Sequence, residues 1–163
     1  MTISVVLALL IIFTGICKYF RLVIIADGVK EALQDAVVSA VTENYANVYH
    51  GAREGYSGGY QPVADDFEQA LDYSDIYSQL ASVLDLEYTG IYEKTTDSGD
   101  LEFGLYDLYI DIRNAPLATS DDDEQRFEID SYITLEVPVS FAGKLLPNLQ
   151  IRLKTTAGYI PIF

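Results

Sequence analysis

Carboxylates are the groups this chain supplies in quantity. The stretch "SDDDEQ" puts Asp121, Asp122, Asp123 and Glu124 in a row, and "DSGD" puts Asp97 and Asp100 around a turn. Such oxygen clusters are the chemistry of Ca2+ binding, but an EF-hand loop needs Asp, Asp or Asn, Gly and a closing Glu at fixed offsets. Neither stretch has that spacing. Both read as solvated acidic loops, with Asp121–Glu124 the residues that would take Ca2+ if any did. Asp107 and Asp111 can be drawn as an acid and base pair, yet among 25 Asp and Glu such pairs arise by chance. The sole histidine, His50, would need a nucleophile or a metal beside it to act as a base. It reads instead as a favourable contact with a helix C-terminus. The one cysteine, Cys17, gives neither a disulfide framework nor a metal set and reads as a small packing residue. Phosphate loops, Ser-His-Asp sets and Cys/His clusters are absent from the sequence. The pattern points away from an enzyme, and no cofactor is expected.

The distribution of charge says more than any cluster. The chain has 163 residues, half of them apolar, and a formal charge of −15. Residues 1–59 carry a net −1, residues 60–124 a net −15 and residues 125–163 a net +1. An acidic middle excludes nucleic acid as a partner, because phosphate contacts need Lys and Arg. It also keeps that region off an anionic membrane surface.

The N-terminal segment is of another kind. Residues 1–17 carry no charge. At 1.5 Å per residue they rise about 25 Å, slightly less than a hydrocarbon core. Val5, Val6, Leu9, Leu10, Ile12, Phe13 and Ile16 are the residues expected to meet lipid or neighbouring helices. Continuing to Ala26 reaches spanning length and takes in Lys18 and Arg21, whose stems can carry their charges to an interface. A cleaved signal peptide would show a basic start and a small-residue cleavage site, and the run shows neither.

The helical period continues past the run. Leu22, Ile25, Ala26, Val29, Leu33, Ala36, Val37, Ala40, Asn44 and Val48 recur at spacings of three and four, with Asp27, Lys30, Glu31, Gln34 and Asp35 between them. The spacing predicts one helix from about residue 3 to about 49, on the order of 70 Å long. It ends at "HGAREGYSGGYQP", which holds four glycines and a proline. Residues 1–50 therefore form a membrane or filament-core helix, and residues 51–163 an acidic α+β globular domain.

In that domain, residues 62–86 read as helix in two pieces. Pro62–Leu71 has its proline at the start and Asp65, Asp66 and Glu68 in the first turns. A second piece, 75–85, puts Ile76, Leu80, Val83 and Leu84 on one face. The period then becomes two. "LEYTGIYEKTT" and "LEFGLYDLYIDIR" flank "DSGD" and predict a hairpin. Tyr106, Leu108, Ile110 and Ile112 are out of phase with Leu101, Phe103 and Leu105, so a bulge is expected near Gly104. Over 127–141, Phe127, Ile129, Ile133, Leu135, Val137, Val139 and Phe141 share a face, with Ser131 the exception. After "AGKLLPN", Leu149, Ile151 and Leu153 alternate in a fourth strand, which should set Glu136 opposite Lys154 or Arg152. Pro138 suggests that part of its strand is an edge. The prediction is α+β: a long N-terminal helix, apolar then amphipathic, packed on an antiparallel sheet of about four strands. Thirteen tyrosines suit half-exposed sheet faces and interfaces, and Tyr45, Tyr49, Tyr56 and Tyr60 are candidate subunit contacts.

A long apolar-to-amphipathic helix ahead of an antiparallel sheet resembles the plan of type IV pilins. The run into "ADGVKEALQDAVVSAV" and the ending "YITLEVPVSFAGKLLPNLQIRLKTTAGY" resemble the TadE-like group of Tad pilus proteins. The resemblance is one of plan rather than motif. Val5 stands where the usual pilin start has a glutamate, which in pilins is thought to neutralise the terminal amine of the next subunit. If such a filament forms, register must come from other charges. Lys18 and Arg21, paired with Asp27 or Glu31 of a neighbour, are the candidates; otherwise the two cations simply mark the membrane edge.

The resemblance implies a homo-oligomeric filament at the cell surface whose subunits are membrane-anchored before assembly. Small residues at Ala8, Gly15, Ala26, Ala32, Ala36 and Ala40 favour close helix packing. The positive-inside tendency of Lys18 and Arg21 would place the domain on the cytoplasmic side, opposite to a pilin. The competing expectation is a single-pass membrane protein that never polymerises and whose domain binds a partner.

Overall fold

The computed structural model describes residues 2–47, 60–63, 66–69, 71–113, 127–141 and 144–159. Helix α1 (Thr2–Asn47) is unbroken over 46 residues, through Gly15 and Gly28. Its second half buries the predicted stripe. Val29, Leu33, Ala36, Val37 and Ala40 are buried, joined by Ala32 and Val41, while Leu22, Ile25 and Ala26 are half-buried. Asp27, Glu31, Gln34 and Asp35 face out. Ala32 and Val41 widen the stripe to the breadth a core-facing helix needs. Each fully buried Leu or Val contributes on the order of 1.5–3 kcal/mol, and this burial holds the helix to the domain.

The stripe lies on a five-stranded antiparallel sheet. Its strands are β3 (Glu87–Tyr88), β4 (Tyr92–Thr95), β5 (Leu101–Arg113), β6 (Phe127–Val137) and β9 (Leu149–Tyr159), in that spatial order. Two small hairpins stand apart from it: β1 (Tyr60–Val63) with β2 (Asp66–Gln69), and β7 (Ser140–Phe141) with β8 (Lys144–Leu145). The fold is α+β, with one two-residue strand beyond the four expected. Phe103, Leu105, Ile110, Ile129, Ile133, Leu135, Leu153 and Ala157 form the buried sheet face. Ser131 lies among them, fully buried, and its hydroxyl has no hydrogen-bond partner among the described residues.

Helix α2 (Tyr73–Leu84) begins at the N-cap Asp72, whose carboxylate accepts from Ser74 N at 2.8 Å and Ser74 Oγ at 2.7 Å. It ends at Asp85, in the left-handed region at φ 55° and paired with Lys94 at 2.7 Å. Ile76 and Leu80 are buried against α1 and Leu84 is half-buried, but Val83, expected on the same face, is 65% exposed.

Other local expectations are corrected. Pro62–Leu71 is not a helix: Pro62 lies opposite Phe67 in the β1–β2 hairpin. A ten-residue helix without a buried face is marginal. Tyr60, Val63 and Phe67 favour extended backbone, and a two-residue connection closes a hairpin locally. β5 carries two irregularities: its register against β4 shifts opposite Leu101–Phe103, close to Gly104, but the one that changes the phase falls at Asp107, at φ 58°, where the β5–β6 register shifts between Tyr106 and Tyr109. Leu108, Ile110 and Ile112 thereby join Phe103 and Leu105 on the inner side, and Tyr106 turns outward to Glu136. Finally, Glu136 pairs with Gln150, not with Arg152 or Lys154. Its strand is flanked on both sides, and Pro138 follows the last paired residue instead of marking an edge.

Candidate functional site

Among the described residues, nothing buries the first half of α1. Val5, Val6, Leu9, Leu10, Ile12, Phe13 and Ile16 are each 47–64% exposed and share one broad side of the helix, and the exposed Ile3, Leu7 and Ile11 carry the apolar surface round the other side. Ile3–Thr42 is, among the described residues, the one helix long and apolar enough to cross a membrane, and its most apolar window has nothing buried. Thr14, in the middle of the uncharged run, returns its hydroxyl to Leu10 O at 2.8 Å, which satisfies that donor within the helix itself. Cys17, expected to pack, is exposed. A long apolar helix that projects bare from its domain is consistent with membrane anchoring.

The apolar rod meets the domain at Lys18 and Arg21. Lys18 Nζ donates to the Ser140 carbonyl and, at 3.1 Å, to Ser140 Oγ. Arg21 Nη2 pairs with Glu102 Oε1 at 2.9 Å. The Arg21 side chain is 58% exposed, so the pair contributes at most about 1 kcal/mol. Both cations are thus engaged within their own chain, while Asp27 and Glu31 stay exposed on α1. Between them opens a groove of about 550 Å3, walled by Leu22 and Ile25 of the helix and by Leu101, Val137, Val139 and Leu149 of the sheet end.

On the sheet face away from α1, the ionic groups gather around Asp130. Its carboxylate takes Arg113 at 2.9 Å, Lys154 at 2.9 Å and the Thr156 hydroxyl at 2.6 Å. Hydrogen bonds from Lys154 and Thr156, helped by the Arg113 charge, hold Asp130 below the usual carboxylate range although burial opposes them. Glu136 is likewise lowered, by Asn148 at 2.6 Å and Gln150 at 3.1 Å. Beside them Tyr132 carries Arg152 and Lys154 over its ring at 5.3 and 5.4 Å. Sequence reasoning missed this network, because it depends on a register that places Tyr132 opposite Lys154 and Asp130 opposite Thr156.

Every cation of this network is matched by a carboxylate or an aromatic face, which makes it a brace between strands. Groups with depressed pKa values stabilise the fold fully above their unfolded pKa, about 4, and lose that contribution as pH falls through the lower folded values. Asp130→Asn is expected to cost about 1.5–3 kcal/mol at neutral pH, the worth of hydrogen bonds to a charged group. Melting curves of the two proteins should converge in acid.

The remaining candidates do not form a site among the described residues. Asp107 and Asp111 are both exposed. The turn at Asp97–Asp100 is closed on itself by Gly99 N to Thr96 O at 2.8 Å and Ser98 Oγ to Asp100 at 3.0 Å. No group of three or more His, Cys, Asp or Glu suited to a metal occurs among the described residues. Asp121, Asp122, Asp123, Glu124, His50, Tyr49 and Tyr56 lie outside the described residues, as do the side chains of Tyr45 and Tyr60. No family model matches the chain, and no characterised protein or solved structure is significantly similar to it.

Proposed function

We propose that the chain is a structural subunit of a pilus-like extracellular filament, anchored in the membrane before assembly. Its N-terminal helices would form the filament core and its acidic domains would face solvent. The observation that carries this reading is the division of α1. One half is clamped by Val29–Val41 to its own sheet, and the other is apolar on all sides and unburied among the described residues. Lipid can cover such a surface in a lone subunit, and sister helices can cover it in an assembly. Lys18 and Arg21 stand where the two halves meet, at the height where a lipid-embedded or core-embedded segment would end.

A second reading is favoured by the small residues. Ala32, Ala36 and Ala40, expected at contacts between subunits, are buried in the chain's own core, and Ala26 is half-buried there. Only Ala8 and Gly15 of that set remain open on the helix. This suits a single-pass membrane protein that does not polymerise.

Gly15→Leu separates the two. Nothing lies within 4 Å of a Cβ at Gly15, so the leucine fits the subunit and improves the helix by about 0.5–1 kcal/mol. If helices pack closely there, the variant should retain its membrane association and lose its filaments in electron micrographs of sheared cell-surface material. A native chain that yields no filaments, and behaves as a monomer in detergent, removes the filament reading.

A further inference from the structure

We infer that the domain edge at Val139, Leu146 and Leu149 is a second contact with the bilayer, seated in the head-group layer beside the point where α1 leaves the lipid. The inference rests on the membrane-anchored reading of α1 and does not require polymerisation.

The exposed apolar surface of α1 does not stop at its first charge. Tyr19, Phe20 and Ile24 are 64%, 58% and 70% exposed. Ile24 stands about 9 Å further along the axis than Lys18. Whatever medium covers Phe20 and Ile24 therefore rises past Lys18. At that height the helix is no longer alone. The Lys18–Ser140 and Arg21–Glu102 contacts fix the sheet end beside it, and Leu22 and Ile25 share the groove with Val139 and Leu149. Leu146 N donates to Val139 O at 2.9 Å, which ties the loop to the same edge. Leu146 and Leu149 are exposed there, at 47% and 40%. A layer deep enough to cover Ile24 meets these leucines as well.

The side chains at this level identify the layer. Lys18, Tyr19 and Arg21 fall within one helical turn. Long cations with an aromatic ring are the set that settles at a membrane–water interface, stems and rings in apolar surroundings and polar ends in water. Asp100 and Glu102 also border the groove and offset the two cations. The groove lining is thus close to neutral, which suits zwitterionic head groups, whereas the acidic residues 60–124 disfavour an anionic surface.

The chain contains no tryptophan, so a single introduced indole reports on one place. The test uses the full chain in phosphatidylcholine vesicles containing quencher-labelled lipids of known depth, with three variants compared. Leu146→Trp should emit at shorter wavelength, lose intensity to head-group-level quenchers, and resist aqueous iodide. Phe13→Trp should be quenched from the bilayer centre. Tyr109→Trp, exposed on β5, should be quenched only by iodide, which shows that the indole does not itself draw the domain down. Adding phosphatidylglycerol, which repels the acidic 60–124 region, should weaken the head-group quenching of Leu146→Trp and leave the other two signals unchanged. A Leu146→Trp signal open to iodide and untouched by lipid quenchers overturns the inference. If Phe13→Trp is still quenched from the bilayer centre, membrane anchoring survives that failure; if it is not, both ideas fall. An indole shielded from iodide but not quenched by lipid, in proportion to protein density, assigns the edge to a second copy of the chain and also overturns the inference.

Discussion

Leu9→Arg is expected to remove the chain from membranes and to leave its domain as stable as before. A charged residue near the centre of a spanning helix costs about 2.5–3.5 kcal/mol on insertion scales. That is on the order of a 100-fold loss in partitioning, since each 1.4 kcal/mol is tenfold. Leu9 is 60% exposed and lies outside the buried core, so the substitution removes no core contact. Exposed positions of this kind usually shift stability by less than about 0.5 kcal/mol. Flotation with vesicles and a melting curve in detergent read the two quantities separately. A variant that floats like the native chain would show that the bare half of α1 is not held by lipid. A variant whose domain melts far earlier would show that this half packs on the domain in solution.

The rod and its stripe were legible because helical period is a local property. The alternation of Leu33 and Val37 with Gln34 and Asp35 needs no knowledge of what lies opposite. The same holds for Ile129 to Leu135 on β6. What depends on distant partners was not legible. Lys18 and Ser140 are 122 positions apart, and Arg21 and Glu102 are 81 apart, so no spacing rule joins them. The ionic brace at Asp130 waits on a register fixed by the connection between Val137 and Leu149, which spends part of its length on the β7–β8 hairpin.

The position of the bulge that changes the phase of β5 has a more specific cause. Glycine tolerates positive φ, so Gly104 drew the expectation. Asp tolerates the left-handed region too, and Asp107 took it. A Cβ at Gly104 would meet Ile91 Cδ1, the tip of a movable side chain, at 2.9 Å, so a small shift of Ile91 would make room for it. The apolar surface proposed to contact lipid was visible in composition. Its limit was not, because Phe20 and Ile24 read as part of a continuing run until the sheet was seen to cover only the other side of the helix.

Leu33→Ala should have the opposite effect to Leu9→Arg. Leu33 is fully buried between Val29 and Val37 on the clamped half of α1. Truncating a buried leucine costs its transfer energy and leaves a cavity, together about 3–4 kcal/mol in a core that relaxes little. That is a large share of a typical domain stability of about 5–15 kcal/mol, and corresponds to a drop of roughly 10 °C in Tm for a chain of this size. The lipid-facing surface is untouched, so flotation with vesicles should remain native. Leu9→Ala is the matched control: the same atoms leave the same helix, and the melting curve should barely move. If Leu33→Ala also abolished flotation, insertion would depend on the folded domain, and the bare half of α1 could not be an anchor in its own right. If the two alanine variants melted alike, the helix would not be clamped to the sheet at Leu33. The division of one rod between a private core and an external apolar medium, on which the assembly reading relies, would then have no energetic basis.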